Sequence, residues 1–171
     1  MAVGNLEFIK TATSGSGVSD FSLTDCFSDS YDVYYLSITK YNTNSQNYQR
    51  LRFLDSGGSV ISASEYAYAY LRMESNTGYS EIRSTNQTNI PFINTSTGAS
   101  RAMGTGFYIY NPYDSSSYTF TQFQGTARST AEVEGSKGIG VHKSAEQITG
   151  VNIYPTTGVI YNVVLTMFGV K

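Results

Sequence analysis

The chain has 171 residues, of which 40% are hydrophobic and only 14% charged, with a formal net charge of −2. A chain of this length buries roughly 70% of its unfolded surface and can hold one domain core without staples. Its dispersed charges exclude a basic stripe for nucleic-acid phosphates, and its single cysteine, Cys26, excludes an intramolecular disulfide.

Fifteen Tyr, nine Phe, sixteen Gly and three Pro suit strands separated by tight turns. No stretch repeats apolar residues at i, i+3, i+4, i+7 over three turns, so the expected class is all-β. Leu6–Lys10 reads as a first strand, closed by the Ser/Gly run Thr13–Gly17, and Phe21–Leu23 as a short second one. Val33–Tyr41 is a strong strand with Tyr34, Leu36 and Ile38 on one face. Tyr48–Leu54 alternates cleanly, and Asp55-Ser56-Gly57-Gly58 supplies a hairpin turn before Val60-Ile61. Glu65–Met73 sets Tyr66, Tyr68 and Tyr70 opposite Ala67, Ala69 and Leu71, so both of its faces are expected to be covered. A strand over Tyr79–Arg83 leads into Ser84–Ala99, read as a polar loop around the island Ile90-Pro91-Phe92-Ile93. Phe107–Tyr110, Tyr118–Phe123 and a weaker stretch near Arg128–Val133 follow. Val151–Tyr154, the turn Pro155–Gly158 and a closing strand through Val163–Met167 end the chain in mid-strand, which ties the C-terminus into a sheet. Eight to ten strands at this spacing give a single-domain antiparallel β-sandwich over residues 1–171, jelly-roll-like in its pattern.

The residues that could carry chemistry are few. His142 is the sole histidine, in the Gly-rich stretch Gly135–His142, and no G-x-S-x-G elbow nominates a serine to pair with it. It reads as an exposed loop or edge-strand histidine, and the glycines before it as turns or bulges. Glu132 and Glu134 stand at i, i+2, on one face of a strand, whereas glycosidases draw their two carboxylates from different strands around a cleft. Asp25, Asp29 and Asp32 form a loop cluster that calcium could use, although Asp and Ser cap turns as readily. With one Cys and one His, zinc is excluded by a count of soft ligands. The expectation is a protein without catalytic residues, cofactor or metal, and not an enzyme. The tyrosines are the strongest remaining feature, because Tyr combines large contact area with a hydroxyl that tolerates partial burial. Tyr66, Tyr68, Tyr70, Tyr108, Tyr110 and Tyr113 are the candidate interaction surface. No apolar run reaches the roughly 18 residues of a membrane span, and Met1–Lys10 lacks a signal-peptide pattern. The chain is expected to be made in a cytoplasm, with no nucleic acid as partner and no membrane insertion.

Arg50-Leu51-Arg52-Phe53, the Tyr-rich Glu65–Leu71 and above all Ile148–Lys171, with its Pro/Gly turn and closing Phe168-Gly169-Val170-Lys171, resemble the small all-β virion structural proteins of tailed bacteriophages. That resemblance implies a jelly-roll-like sandwich on a virion, assembled in the bacterial host cytoplasm. It implies a capsid decoration or cement protein, a homotrimer whose Tyr-rich sheets contact major capsid or tail proteins. The alternative it leaves is a tail-associated module that grips host-surface glycans. It transfers no catalytic or binding residue.

Overall fold

The computed structural model of the chain describes residues 6–95, 103–128 and 133–171, and these build thirteen strands. In chain order they are β1 (Leu6–Ser14), β2 (Phe21–Leu23), β3 (Val33–Thr43), β4 (Asn47–Leu54), β5 (Tyr66–Glu74), β6 (Gly78–Gln87) and β7 (Ile90–Thr95). Then come β8 (Met103–Tyr110), β9 (Thr119–Arg128), β10 (Val133–His142), β11 (Gly150–Pro155), β12 (Ile160–Tyr161) and β13 (Val163–Val170). They form an antiparallel β-sandwich. The larger sheet runs β1-β13-β3-β8-β9-β10-β5-β6, with β12 paired to β3, and the smaller runs β2-β11-β4-β7.

Period-2 alternation places the core between the sheets. On β3, Tyr34, Leu36 and Ile38 point inward, and on β13 so do Val163, Leu165 and Met167. Leu51 and Phe53 of β4 and Val151 and Ile153 of β11 meet them from the smaller sheet. Phe92 crosses the gap to Phe107, ring centroids 5.2 Å apart and nearly perpendicular, an edge-to-face contact. Burying each such side chain fully contributes about 1.5–3 kcal/mol. A polar plug closes one end of the sandwich. Gln49 is fully buried, accepts from the Tyr41 hydroxyl and donates to Asn47 and to Thr95 Oγ1 (2.7 Å).

Two segments depart from the expected pattern. Ile90–Ile93 belongs to a strand, β7, and not to a loop. Its Pro91 has no N–H to give, but β7 is the edge of the smaller sheet and shifts register beside Pro91, so no ladder bond is lost. The Gly-rich stretch 135–142 is an interior strand of the larger sheet, flanked by β9 and β5, and not a set of turns. Its glycines make room for the core. A Cβ on Gly138 would lie 2.2 Å from Tyr70 Cβ and 2.8 Å from the Phe123 ring. Asp55–Gly58 turns as expected, with the Asp55 carboxylate accepting from the Gly57 and Ser59 amides, both at 2.8 Å.

Candidate functional site

The smaller sheet covers only the inner face of the larger one. On the outer face, strand register aligns one row across all eight strands: Phe8, Phe168, Tyr35, Tyr108, Gln122, Ile139, Ala69 and Arg83. Four aromatic rings open this row. Phe8 meets Phe168 at 6.2 Å, Phe168 meets Tyr35 at 6.3 Å, and Tyr35 meets Tyr108 at 5.1 Å. Tyr35 lies across Gly106, where a Cβ would fall 2.5 Å from its hydroxyl, so the glycine lets the ring lie along the sheet. A neighbouring row, Tyr110, Phe120, Val141 and Ala67, continues the apolar surface. Phe8, Phe120 and Ile139 are 60%, 45% and 57% exposed. Two open grooves of about 990 and 410 Å³ score this face, the smaller floored by Ala67, Ala69 and Gly140 and walled by Phe120 and Ile139.

The six candidate tyrosines divide. Tyr108 is exposed and Tyr110 half-buried, both on the outer face. Tyr66 and Tyr70 are buried on the inner face, Tyr66 completely and Tyr70 with an edge on the cleft described below. The Tyr66 hydroxyl is used up inside, accepting from the Phe53 amide and donating to the Ile61 carbonyl, both at 3.1 Å. Burial also pushes the Tyr66 and Tyr70 hydroxyls far above the usual phenol range. Tyr113 is half-buried and packs against the core from the loop after β8. Tyr68 is half-buried in a separate cleft of about 330 Å³, where β5 and β6 overhang the edge strand β7. Tyr48, Arg50, Gln87 and Asn89 line that cleft with Tyr68 and Tyr70, and Arg50 Nε has no hydrogen-bond partner there. Phe8, Phe120, Ile139 and Phe168, outside the tyrosine-based candidate surface, share the outer face with Tyr35 only through register, which one strand's alternation does not reveal.

The other chemical candidates fall out as follows. Glu134 points inward and is buried, with Oε1 accepting from the Asn94 amide at 3.2 Å and Oε2 without a partner. Burial raises its pKa, against the opposing pull of the Asn94 amide and Arg72. Glu132, its expected companion, lies outside the described residues. Asp25, Asp29 and Asp32 are all exposed, and they do not form one of the described clusters of ligand atoms. Cys26 is buried, its thiol pushed up to about 12 by burial. His142 is not an exposed loop residue: it is fully buried at the end of β10.

No family model matches the chain, and no curated protein matches it. Among solved structures, an exo-inulinase from Aspergillus awamori is similar over 96% of this chain and 29% of its own, at 5% identity and a TM-score of 0.45. An alginate lyase from Alteromonas sp.272 is similar over 94% and 86%, at 10% identity and a TM-score of 0.27. The VP2 subviral particle of infectious bursal disease virus is similar over 96% and 40%, at 10% identity and a TM-score of 0.16. The inulinase is an enzyme by its name, and this corrects the expectation that the chain is not one: that exclusion is withdrawn. This chain spans about 29% of the inulinase, and likenesses with TM-scores this low assign it no reaction or substrate.

Proposed function

We propose that the chain is a virion structural protein, a decoration or cement module that seats the outer face of its larger sheet on another subunit of the particle. One observation carries the reading: an aromatic-lined sheet face, with Gln122, Gln124, Thr126 and Lys137 among its rings and aliphatic side chains, that no other described element covers. Soluble proteins seldom leave a contiguous apolar patch of several hundred Å² facing water. Eight strands at about 4.8 Å spacing and four outward residues along β8 make this face roughly 34 Å by 20 Å. That area is close to the roughly 800 Å² per partner of a standard protein–protein interface. Its aromatic, charge-poor middle matches the composition of interface cores. The resemblance of the Tyr-rich and C-terminal segments to tailed-phage virion proteins supplies the occupant, a flat capsid or tail subunit surface. The test is co-sedimentation of the purified protein with particles assembled without it. Wild type is expected to pellet, and I139K and F120K to stay in the supernatant while remaining folded. Wild type that stays in the supernatant, or forms a closed oligomer through this face instead, contradicts the proposal.

A second reading rests on a different observation, the Tyr48/Arg50/Tyr68 cleft beneath the β5–β6 overhang. Tyrosine rings beside the Gln87 and Asn89 amides suit a glycan on a host surface. Retention on immobilised host-surface polysaccharide that Y68A abolishes would favour it, and no retention of wild type would remove it.

A further inference from the structure

Chain folding gathers three groups that the sequence keeps far apart. Glu65 immediately precedes β5, His142 ends β10, and Glu146 lies in the loop that leads to β11. The His142 ring is fully buried, 4.9 Å from the Tyr66 ring and 6.1 Å from the Phe53 ring, and only its Nε2 edge meets polar groups. Nε2 stands 3.2 Å from Glu65 Oε2 and 3.7 Å from Glu146 Oε1, and the three atoms lie within 4.8 Å of one another. The Lys143 amide donates to the Glu65 carbonyl at 2.8 Å and fixes the loop against β5. Both carboxylates are about one-third exposed, at 39% and 34% of their side chains, so the cluster opens to solvent on the side away from the ring.

The charges in this cluster do not balance. One imidazole N–H can serve one carboxylate. Glu65 is within hydrogen-bond reach and Glu146, at 3.7 Å, is beyond it. The nearest lysine is turned away, with Lys143 Nζ donating to Asn86 Oδ1 at 2.8 Å and Thr85 Oγ1 at 3.2 Å. Among the described residues no lysine or arginine forms an ion pair with either glutamate. A buried nitrogen and two carboxylate oxygens therefore converge on one point.

We propose that Glu65, His142 and Glu146 bind a divalent transition-metal ion, Zn²⁺ or Mn²⁺, with water filling the solvent side. A cation with bonds of roughly 2.0–2.2 Å bridges ligand atoms spaced like these after a small closing movement of the Glu146 side chain. The imidazole ligand favours such ions over Ca²⁺ and Mg²⁺, which prefer oxygen alone. Counting only Cys and His hides this site, because carboxylates supply two of its three ligands. His142 Nδ1 has no hydrogen-bond partner. Metal-bound histidines ordinarily donate that proton to an acceptor, whose loss weakens binding roughly 10–100-fold, so this site is expected to be of modest affinity. The ion would staple the 143–149 loop to the start of β5 and the end of β10.

The test is isothermal titration of the EDTA-stripped protein with ZnCl₂, MnCl₂ and CaCl₂, followed by thermal unfolding with and without each ion. Wild type is expected to bind one equivalent of Zn²⁺ or Mn²⁺, to unfold at a higher temperature with it, and to ignore Ca²⁺. E65Q and E146Q keep side-chain size and an oxygen acceptor at these partly exposed positions, and should keep the metal-free unfolding temperature while losing at least about tenfold in affinity. His142 is buried and its variants can misfold, so the glutamate variants decide. No saturable Zn²⁺ or Mn²⁺ binding, a preference for Ca²⁺, or wild-type affinity in both glutamate variants overturns the site.

Discussion

Phe120 and Phe123 sit three residues apart on β9 and face opposite sides of the larger sheet, so truncating each to alanine separates the packed face from the open one. Phe123 is buried, with its ring 5.3 Å from Phe107 and 5.9 Å from Tyr70. Phe123→Ala removes that packing and leaves a cavity between the sheets, a loss of about 3–5 kcal/mol. Phe120 is 45% exposed and touches one ring, Tyr118, at 6.5 Å. About half of its transfer free energy is therefore never gained in the isolated chain, and Phe120→Ala should cost about 1 kcal/mol or less. Urea unfolding followed by tyrosine fluorescence measures both. With urea m-values of about 1–3 kcal/mol per M, the Phe123 variant should lose more than about 1 M in midpoint and the Phe120 variant far less. Equal losses would refute the assignment of inner and outer faces on which the docking surface depends.

Other consequences follow from single groups. Gly138→Ala puts a Cβ against Tyr70, the Ala69 carbonyl and the Phe123 ring, and is expected to destabilise by about 1–3 kcal/mol in the same titration; an unchanged midpoint would contradict the close approach of β5 and β10. Burial raises the folded-state pKa of Glu134 above its ordinary 4.5, so the folded protein holds a proton that the unfolded chain releases. Stability should then fall as pH rises from about 4.5 toward neutrality, and Glu134→Gln should flatten that fall; a variant with the same or a steeper slope would contradict it. The Cys26 thiol, pushed up to about 12, should react with a thiol-specific disulfide reagent only at the rate of unfolding, and fast labelling of the native protein would contradict its burial.

The strands were legible in the sequence where alternation is strong. Tyr34, Leu36 and Ile38 share the inner face as read, and the closing strand pairs with β1 and β3. What failed were inferences from composition alone. Gly135–His142 reads as turns because glycine is scarce in strands, yet Gly138 and Gly140 admit Tyr70, Phe123 and Ile90 from neighbouring strands. Ile90-Pro91-Phe92-Ile93 reads as a loop island because proline breaks ladders, and only its edge position makes the strand permissible. The tyrosines of β5 are the instructive case. Alternation correctly separates Tyr66, Tyr68 and Tyr70 from Ala67, Ala69 and Leu71, but it does not say which set faces inward. The outer aromatic row and the Glu65–His142–Glu146 cluster each join residues from distant strands, and no local pattern encodes such register.

The most direct test of the central claim is photo-crosslinking within intact virions, with a benzophenone amino acid placed at Ile139 on the outer face or at Arg52 on the smaller sheet. Crosslinks from position 139 to a capsid or tail subunit, with few from position 52, are the predicted result. Equal crosslinking from both positions, or none from 139 in particles that contain the protein, would contradict it.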